Sequence, residues 1–119
     1  MNISVSFKIV KLLEKIGWKL PYTIEYLEEL QGTNNYIESI PTIADVVCWL
    51  CDKHQIWITA HPEYCNGTLE WIFNFQFLND NDRTWKEQEV AYKIFFEDTY
   101  KSKEEAYEVC IEYTLNNLI

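Results

Sequence analysis

Glycine and proline are scarce in this chain, with three of each in 119 residues. The glycines stand apart at positions 17, 32 and 67, so no segment can form the glycine-rich loop that binds phosphate groups. The sequence also lacks internal repeats, low-complexity tracts and inter-domain linkers. Because 119 residues are enough to bury a hydrophobic core, we expect a single globular domain over residues 1–119.

Basic residues are few: ten lysines and arginines stand against 19 aspartates and glutamates, a net charge of −9. Binding to phosphates needs clustered basic side chains, so direct binding of nucleic acid is not expected. The simplest interpretation of the acid excess is a solvated surface that keeps the protein in solution. The alternative is DNA mimicry, in which rows of carboxylates imitate phosphates and occupy a nucleic-acid-binding protein.

Long apolar runs are missing as well, and none approaches the roughly 20 residues that span a bilayer. Residues 1–15 mix lysines into an apolar pattern, which is not the pattern of a signal peptide. We therefore expect a cytoplasmic protein with reduced cysteines and no membrane partner. On this interpretation the sequon Asn66-Gly67-Thr68 is a turn.

A β-hairpin is the clearest feature that is present. Asn66-Gly67 lies between two alternating apolar runs and suits a two-residue type I′ turn, in which both central residues have φ > 0. That turn pairs Cys65 with Thr68 and fixes the register back to residues 56 and 77. It places one set of apolar pairs on a single face: Tyr64 with Leu69, Pro62 with Trp71, Ala60 with Phe73, Ile58 with Phe75, and Ile56 with Phe77.

Two features disfavour this hairpin. The register is nevertheless well specified, because a slip of one residue would move the apolar side chains of a strand to its opposite face. Glu63 lies opposite Glu70, and like charges in that position are tolerable only when well solvated. Pro62 lacks an N–H group, so the first strand should be an edge strand or carry a bulge.

Helical periodicity marks three further segments. Residues 6–16 form an amphipathic helix that stops at Gly17, residues 42–54 form a helix with Thr42 as N-cap, and residues 103–118 form a helix that opens with Ser102 and Glu105 as a capping box. Residues 21–31 fit a short helix or a strand, with the helix preferred. Residues 32–35 are predicted as a loop. Residues 92–97 are predicted as a third strand, although a helix could open at residues 85–91.

These elements predict an α+β fold: an antiparallel sheet of about three strands with helices on one face, preceded by an N-terminal helix. From residue 42 the order is α-β-β-β-α, which resembles the double-stranded-RNA-binding-like topology. Domains of that kind bind RNA through a basic face, whereas the last helix here is acid-rich, so RNA binding is not inferred.

Three segments resemble small uncharacterised phage or prophage proteins of gut Bacteroidales and related bacteria. They are residues 12–18, residues 41–44 with the following Trp49-Leu50 and Lys53-His54, and residues 100–106. The resemblance implies a mobile-element context. It names no activity and assigns no functional residue to this chain.

One group of residues has the chemistry of a zinc site: Cys48, Cys51, His61 and Cys65, with His54 nearby. The two cysteines of the CxxC pair sit in mid-helix, however, and the hairpin register puts His61 on the sheet face away from the core helices. A free cysteine is often a small buried hydrophobic residue. We therefore expect no metal, no cofactor and no catalytic site, and a zinc-stabilised module is the minor alternative.

The remaining candidate is an interaction patch of Trp57, His61, Ile72 and Trp49. The first three share the sheet face opposite the core, where an apolar Trp and Ile suit a protein partner unless another segment covers them. Trp49 lies off the apolar stripe of its helix, and packing against a neighbouring loop is its simpler interpretation.

The last helix has a broad apolar arc, which indicates burial by the sheet and the first helix or, alternatively, a homodimer interface. The sequence thus favours a non-catalytic accessory protein that binds another protein. A homodimer is one form that this binding could take. It names neither the partner nor the biological process.

Overall fold

The computed structural model describes residues 3–78 and 99–119, apart from the side chains of Cys65 and Phe75. These ranges contain five helices and two strands, here numbered in chain order: α1 Phe7–Lys15, α2 Ile24–Leu30, α3 Asn34–Ser39, α4 Ile43–His54, β1 Ile56–Cys65, β2 Thr68–Phe77 and α5 Lys103–Asn117.

The hairpin of β1 and β2 has the predicted turn and the predicted register. Asn66 and Gly67 both have positive φ, at 54° and 81°, as a type I′ turn requires. The strands pair antiparallel from Cys65 with Thr68 to Ile56 with Phe77. Turn chemistry and hydrophobic alternation therefore specified the same pairing, and the prediction is confirmed.

Helices cover one face of this sheet. Ile56, Ile58, Phe73 and Phe77 are buried on that face, and α4 packs on β1 while α5 packs on both strands. The α+β class, with helices on one face of an antiparallel sheet and a helix at the N-terminus, is confirmed. The predicted third strand at 92–97 and the helix opening at 85–91 lie outside the described residues. The double-stranded-RNA-binding-like topology depends on them and stays a prediction.

The helix starts follow the predicted caps. Thr42 and Asp45 form a reciprocal capping box at α4, with hydrogen bonds of 3.1 and 3.0 Å, and the Ser102 side chain accepts the N–H of Glu105 at α5. The ambiguous segment 21–31 contains α2, capped by Thr23.

The prediction of a loop over residues 32–35 is wrong at its second half, because α3 begins at Asn34. Thr33 caps this helix by accepting the N–H of Tyr36. α3 has six residues and none is buried, so it carries no apolar stripe that periodicity could detect.

The N-terminal segment is tied to the rest of the fold by carboxylates of α5. Glu108 accepts both the backbone N–H and the hydroxyl of Ser6, at 2.8 and 3.0 Å, and Glu112 forms a 2.6 Å ion pair with Lys8. The acidic side of α5 therefore serves in part to hold α1.

The apolar arc of α5 is covered by the chain's own strands and helices. Its buried residues are Ala106, Tyr107, Cys110, Ile111, Thr114 and Leu115. Burial within the chain, the first of the two interpretations, accounts for this arc. In the described ranges no helix is long and apolar enough to cross a membrane.

Candidate functional site

The sheet face opposite the helices carries three of the predicted patch residues. His61 pairs directly with Ile72, whereas Trp57 pairs with Gln76. Trp57 is 40% exposed, His61 is exposed and Ile72 is half-buried. Trp57 lies four residues from His61 along β1, about 13 Å away at the usual rise of a strand. The structure thus brings His61 and Ile72 together and leaves Trp57 further along the same face.

Trp49, the fourth predicted patch residue, lies on the helix side of the sheet. α1 ends in a Schellman motif, in which the N–H groups of Gly17 and Trp18 bond to the carbonyls of Glu14 and Leu13. This motif brings Trp18 against Trp49, with ring centroids 5.2 Å apart in an edge-to-face contact. Trp49 also contacts the ring of His54, at 4.8 Å. Trp49 therefore packs on the segment after α1 and does not join the other three.

The residues of the zinc alternative are distributed over two elements. Cys48 is exposed and Cys51 half-buried on α4, whereas His61 lies on the far face of the sheet. The side chain of Cys65 is outside the described part of the chain. Within residues 3–78 and 99–119, no group of three or more His, Cys, Asp or Glu side chains is arranged to hold a metal ion.

An exposed apolar surface that the sequence interpretation missed lies at the hairpin tip. Tyr64 and Leu69 face each other across the strands and are 79% and 48% exposed. Behind them, Pro62 is exposed and Trp71 is half-buried. We call these four residues the hairpin tip. They belong to the same apolar face whose other end is buried under α4 and α5, so the apolar face continues beyond the helices that cover it.

Element lengths contain the signal that could have revealed this overhang. Strands of ten residues extend about 33 Å, whereas the twelve residues of α4 extend about 18 Å and the fifteen of α5 about 22 Å. Each helix taken singly is therefore shorter than the strands on which it packs. Alternation specifies which residues share a face, but not how much of that face is covered.

The base of the tip is held by the segment before α5. Trp71 and Tyr100 exchange two backbone hydrogen bonds, of 2.6 and 2.7 Å, and Tyr100 stacks on Phe73. On the opposite face of the strands, Glu63 pairs with Glu70, and Glu70 accepts a hydrogen bond from the Thr99 hydroxyl. The tip thus presents an apolar pair on one face and two carboxylates on the other, on an anchored hairpin.

A second concave surface lies where α1 meets α2. One depression of about 560 Å³ is lined by Leu20, Pro21, Tyr22, Thr23 and Tyr26. An adjoining one of about 380 Å³ shares Thr23 and is lined by Lys11, Glu14, Lys15, Ile24 and Glu25. Together they form what we call the α1–α2 groove. Its two tyrosines are nearly half exposed and meet edge to face at 5.0 Å.

Among the described residues, burial shifts the pKa of a cysteine and a tyrosine. Burial raises the pKa of the Cys110 thiol, while a hydrogen bond from Thr114 acts in the opposite direction. Desolvation raises the pKa of the Tyr36 hydroxyl, and the charge of Glu108 adds to this shift. A raised pKa keeps Cys110 protonated at neutral pH, which makes it a poor nucleophile.

No protein-family model, curated protein or solved structure matches this chain. The described residues present three exposed apolar features: an anchored hairpin tip, a partly exposed Trp57 on the outer sheet face, and an aromatic groove beside α1. Exposed apolar side chains of this kind are also found on surfaces through which proteins contact other macromolecules.

Proposed function

We propose that this protein is a non-catalytic binding module that contacts another protein through its hairpin tip, as a cytoplasmic accessory factor of phage or prophage type. The observation that carries the proposal is the facing pair of Tyr64 and Leu69, exposed by 79% and 48% at the end of an anchored hairpin. Burying such a pair is favourable by about 25 cal/mol for each Å² removed from water. Tyrosine is also enriched among the residues that dominate binding energies at interfaces.

The negative charge of the hairpin favours a protein over other macromolecules as the partner of the hairpin tip. The hairpin carries Glu63 and Glu70, and no lysine or arginine occurs between Lys53 and Arg83. Carboxylates on the same hairpin, although on the opposite face from Tyr64 and Leu69, repel nucleic-acid phosphates and anionic lipid headgroups that approach it. A protein surface with an apolar pocket meets no such repulsion.

DNA mimicry, the other function that an acidic chain suggests, receives less support. Glu108 and Glu112, two of the four carboxylates clustered on α5, are paired with Ser6 and Lys8. Carboxylates engaged in this way are poorly placed to imitate free phosphates. If duplex DNA at low salt displaced a protein that this chain captures from a cell lysate, DNA mimicry would be favoured instead.

The test is a pull-down from a gut Bacteroidales lysate with three tagged proteins. The first is the wild type, the second carries Tyr64→Ser with Leu69→Ser, and the third carries Trp57→Ala with Ile72→Ala on the outer sheet face. Circular dichroism and thermal melting establish that each variant is folded. Hot-spot side chains contribute about 2 kcal/mol or more, so we expect the tip variant to lose a specific partner by roughly 30-fold or more.

The two double variants serve as controls for each other. A partner lost by the tip variant and kept by the Trp57 and Ile72 variant supports the proposal. A partner lost only by the Trp57 and Ile72 variant would move the binding site to the outer sheet face. If neither variant changes the set of captured proteins, the proposed function is wrong.

A further inference from the structure

We propose that Asn66 is a site of spontaneous covalent modification, at which the side-chain amide is lost through a cyclic imide that leaves aspartate or isoaspartate in the hairpin turn. The sequence holds nine asparagines, and Asn66 is the one that glycine follows. The reaction needs only the chain and water, so it proceeds whether or not the hairpin tip binds a partner.

The reaction joins Asn66 to the next residue before water completes it. The backbone nitrogen of Gly67 attacks Cγ of Asn66 and forms a C–N bond, while the Cγ–Nδ2 bond breaks and ammonia leaves with the proton of the Gly67 N–H. Water then opens the imide ring. Addition at the Cγ carbonyl gives aspartate, whereas addition at the main-chain carbonyl gives isoaspartate, in which the backbone runs through Cβ and Cγ.

Both reacting groups are accessible in the folded chain. Asn66 and Gly67 are exposed, and a Cβ at Gly67 would meet no atom within 4 Å, so the space beside the attacking nitrogen is open. In a two-residue type I′ turn the closing hydrogen bond joins the flanking residues, here Cys65 and Thr68. The Gly67 N–H lies outside that bond and is therefore available to react.

The reaction also requires Asn66 to rotate about ψ, which brings its Cγ to the Gly67 nitrogen. The pair next to the turn is at the surface, since Tyr64 is 79% exposed and Leu69 is 48% exposed. Loop tips with few buried contacts open locally at a small cost in free energy compared with buried strands. The rotation is therefore accessible without unfolding of the core.

Two other exposed asparagines lack this combination. Asn74 lies within β2 and is followed by Phe75, and Asn116 lies within α5 and is followed by Asn117. Strands and helices hold ψ within a narrow range over several residues. In addition, a side chain on the following residue crowds the attacking nitrogen, whereas glycine has none.

Either product changes the hairpin. Aspartate adds a negative charge to strands that already carry Glu63 and Glu70. Isoaspartate adds a methylene group to the backbone and lengthens a loop whose type I′ geometry requires two residues. Because turn type and loop length fix the register, isoaspartate should loosen the pairing of Tyr64 with Leu69.

The experiment ages the folded, full-length chain in neutral and mildly alkaline buffer and maps its peptides by mass spectrometry. The peptide that contains Asn66 should gain about one dalton, because OH replaces NH2, and fragmentation should identify isoaspartate among the products. The gain should be faster at higher pH, since the Gly67 nitrogen attacks after it loses its proton. Asn74 and Asn116 are internal controls that should keep their mass.

Two variants, each shown to be folded by circular dichroism, separate this chemistry from general ageing. Asn66→Gly keeps residues that accept φ > 0 at both turn positions and removes the amide, so its mass and melting temperature should stay constant. Gly67→Ala keeps the amide and adds a Cβ beside the nucleophile, so its gain in mass should be slower than in the wild type. In the aged wild type alone, amides next to the turn should exchange hydrogen faster.

The inference is overturned if Asn66 stays intact in the folded chain and reacts only in denaturant, because the turn would then protect it. Equal rates of modification at Asn66, Asn74 and Asn116 would overturn it as well. A gain in mass at Asn66 with unchanged hydrogen exchange would contradict the effect on strand pairing. These outcomes do not depend on capture of a lysate partner, so the modification and the proposed function can fail separately.

Discussion

Cys48 and Cys110 show how position alone separates two identical side chains. Cys48 is exposed on α4, whereas Cys110 is fully buried on the core side of α5, where burial raises the pKa of its thiol. The thiolate is the reactive form, so the two cysteines should differ sharply in labelling. At pH 8 a thiol reagent should modify Cys48 rapidly in the folded protein and Cys110 only after unfolding.

Cys110 also links stability to pH. Its folded pKa lies above the ordinary value of 9.0, so the unfolded chain loses this proton first as pH rises. The contribution is therefore complete below pH 9 and declines above it, by at most about 1.4 kcal/mol per pH unit. Denaturant unfolding between pH 8 and 10 should show this decline, and Cys110→Ala should flatten it. Cys48→Ala is the control, and an equal flattening there would contradict the prediction.

Glu108 is the residue that fixes the start of α1, through two hydrogen bonds to Ser6. Hydrogen bonds to a charged acceptor are stronger than neutral ones, and loss of this half-buried carboxylate should cost about 1–2 kcal/mol in the free energy of unfolding. Glu108→Ala is compared with Asn116→Ala, which truncates an exposed side chain of the same helix away from its N-terminal cap. Equal unfolding midpoints for the two variants would show that the contact to Ser6 contributes nothing.

At the scale of elements, the hairpin turn makes the sharpest prediction. Gly67 has φ +81°, and a Cβ at this position would meet no atom within 4 Å. The cost of Gly67→Ala is therefore conformational strain, roughly 1–2 kcal/mol, rather than a clash. Chemical denaturation should report that loss, and Gln76→Ala, at an exposed position of β2, should change stability by a few tenths at most. A Gly67→Ala protein as stable as the wild type would mean that the turn conformation is unimportant.

Elements also show where local patterns were sufficient and where they were not. α4 carries its own capping box and apolar stripe, so its sequence specified it. α3 has a cap at Thr33 but no buried residue, so no periodicity marked it. The 21–31 segment fits a helix or a strand, with the helix preferred, and the structure contains α2 there with Leu27 as its single buried residue.

At the scale of the whole molecule, some exposed or partly exposed side chains hold the helices together, whereas others remain at the surface without such a role. α5 uses carboxylates to hold α1, and the aromatic contact of Trp49 with Trp18 joins α4 to the segment after α1. In the part of the chain that the structure describes, the hairpin tip and the α1–α2 groove carry exposed apolar side chains. The binding proposed for the hairpin tip depends on this arrangement of several elements rather than on any single one.

The sequence by itself determined the register of the hairpin, the starts of α4 and α5 and the side of the sheet that helices cover. These depend on local chemistry: turn residues, caps and hydrophobic alternation act over a few positions along the chain. Tertiary structure alone decided that Tyr64 stays exposed on an apolar face and that Glu108 bonds to a residue 102 positions away. How much of the sheet is covered depends on how far each helix extends over it, and the partner of Glu108 depends on which surfaces meet in the fold. The alternation of residues along a strand carries no information about either.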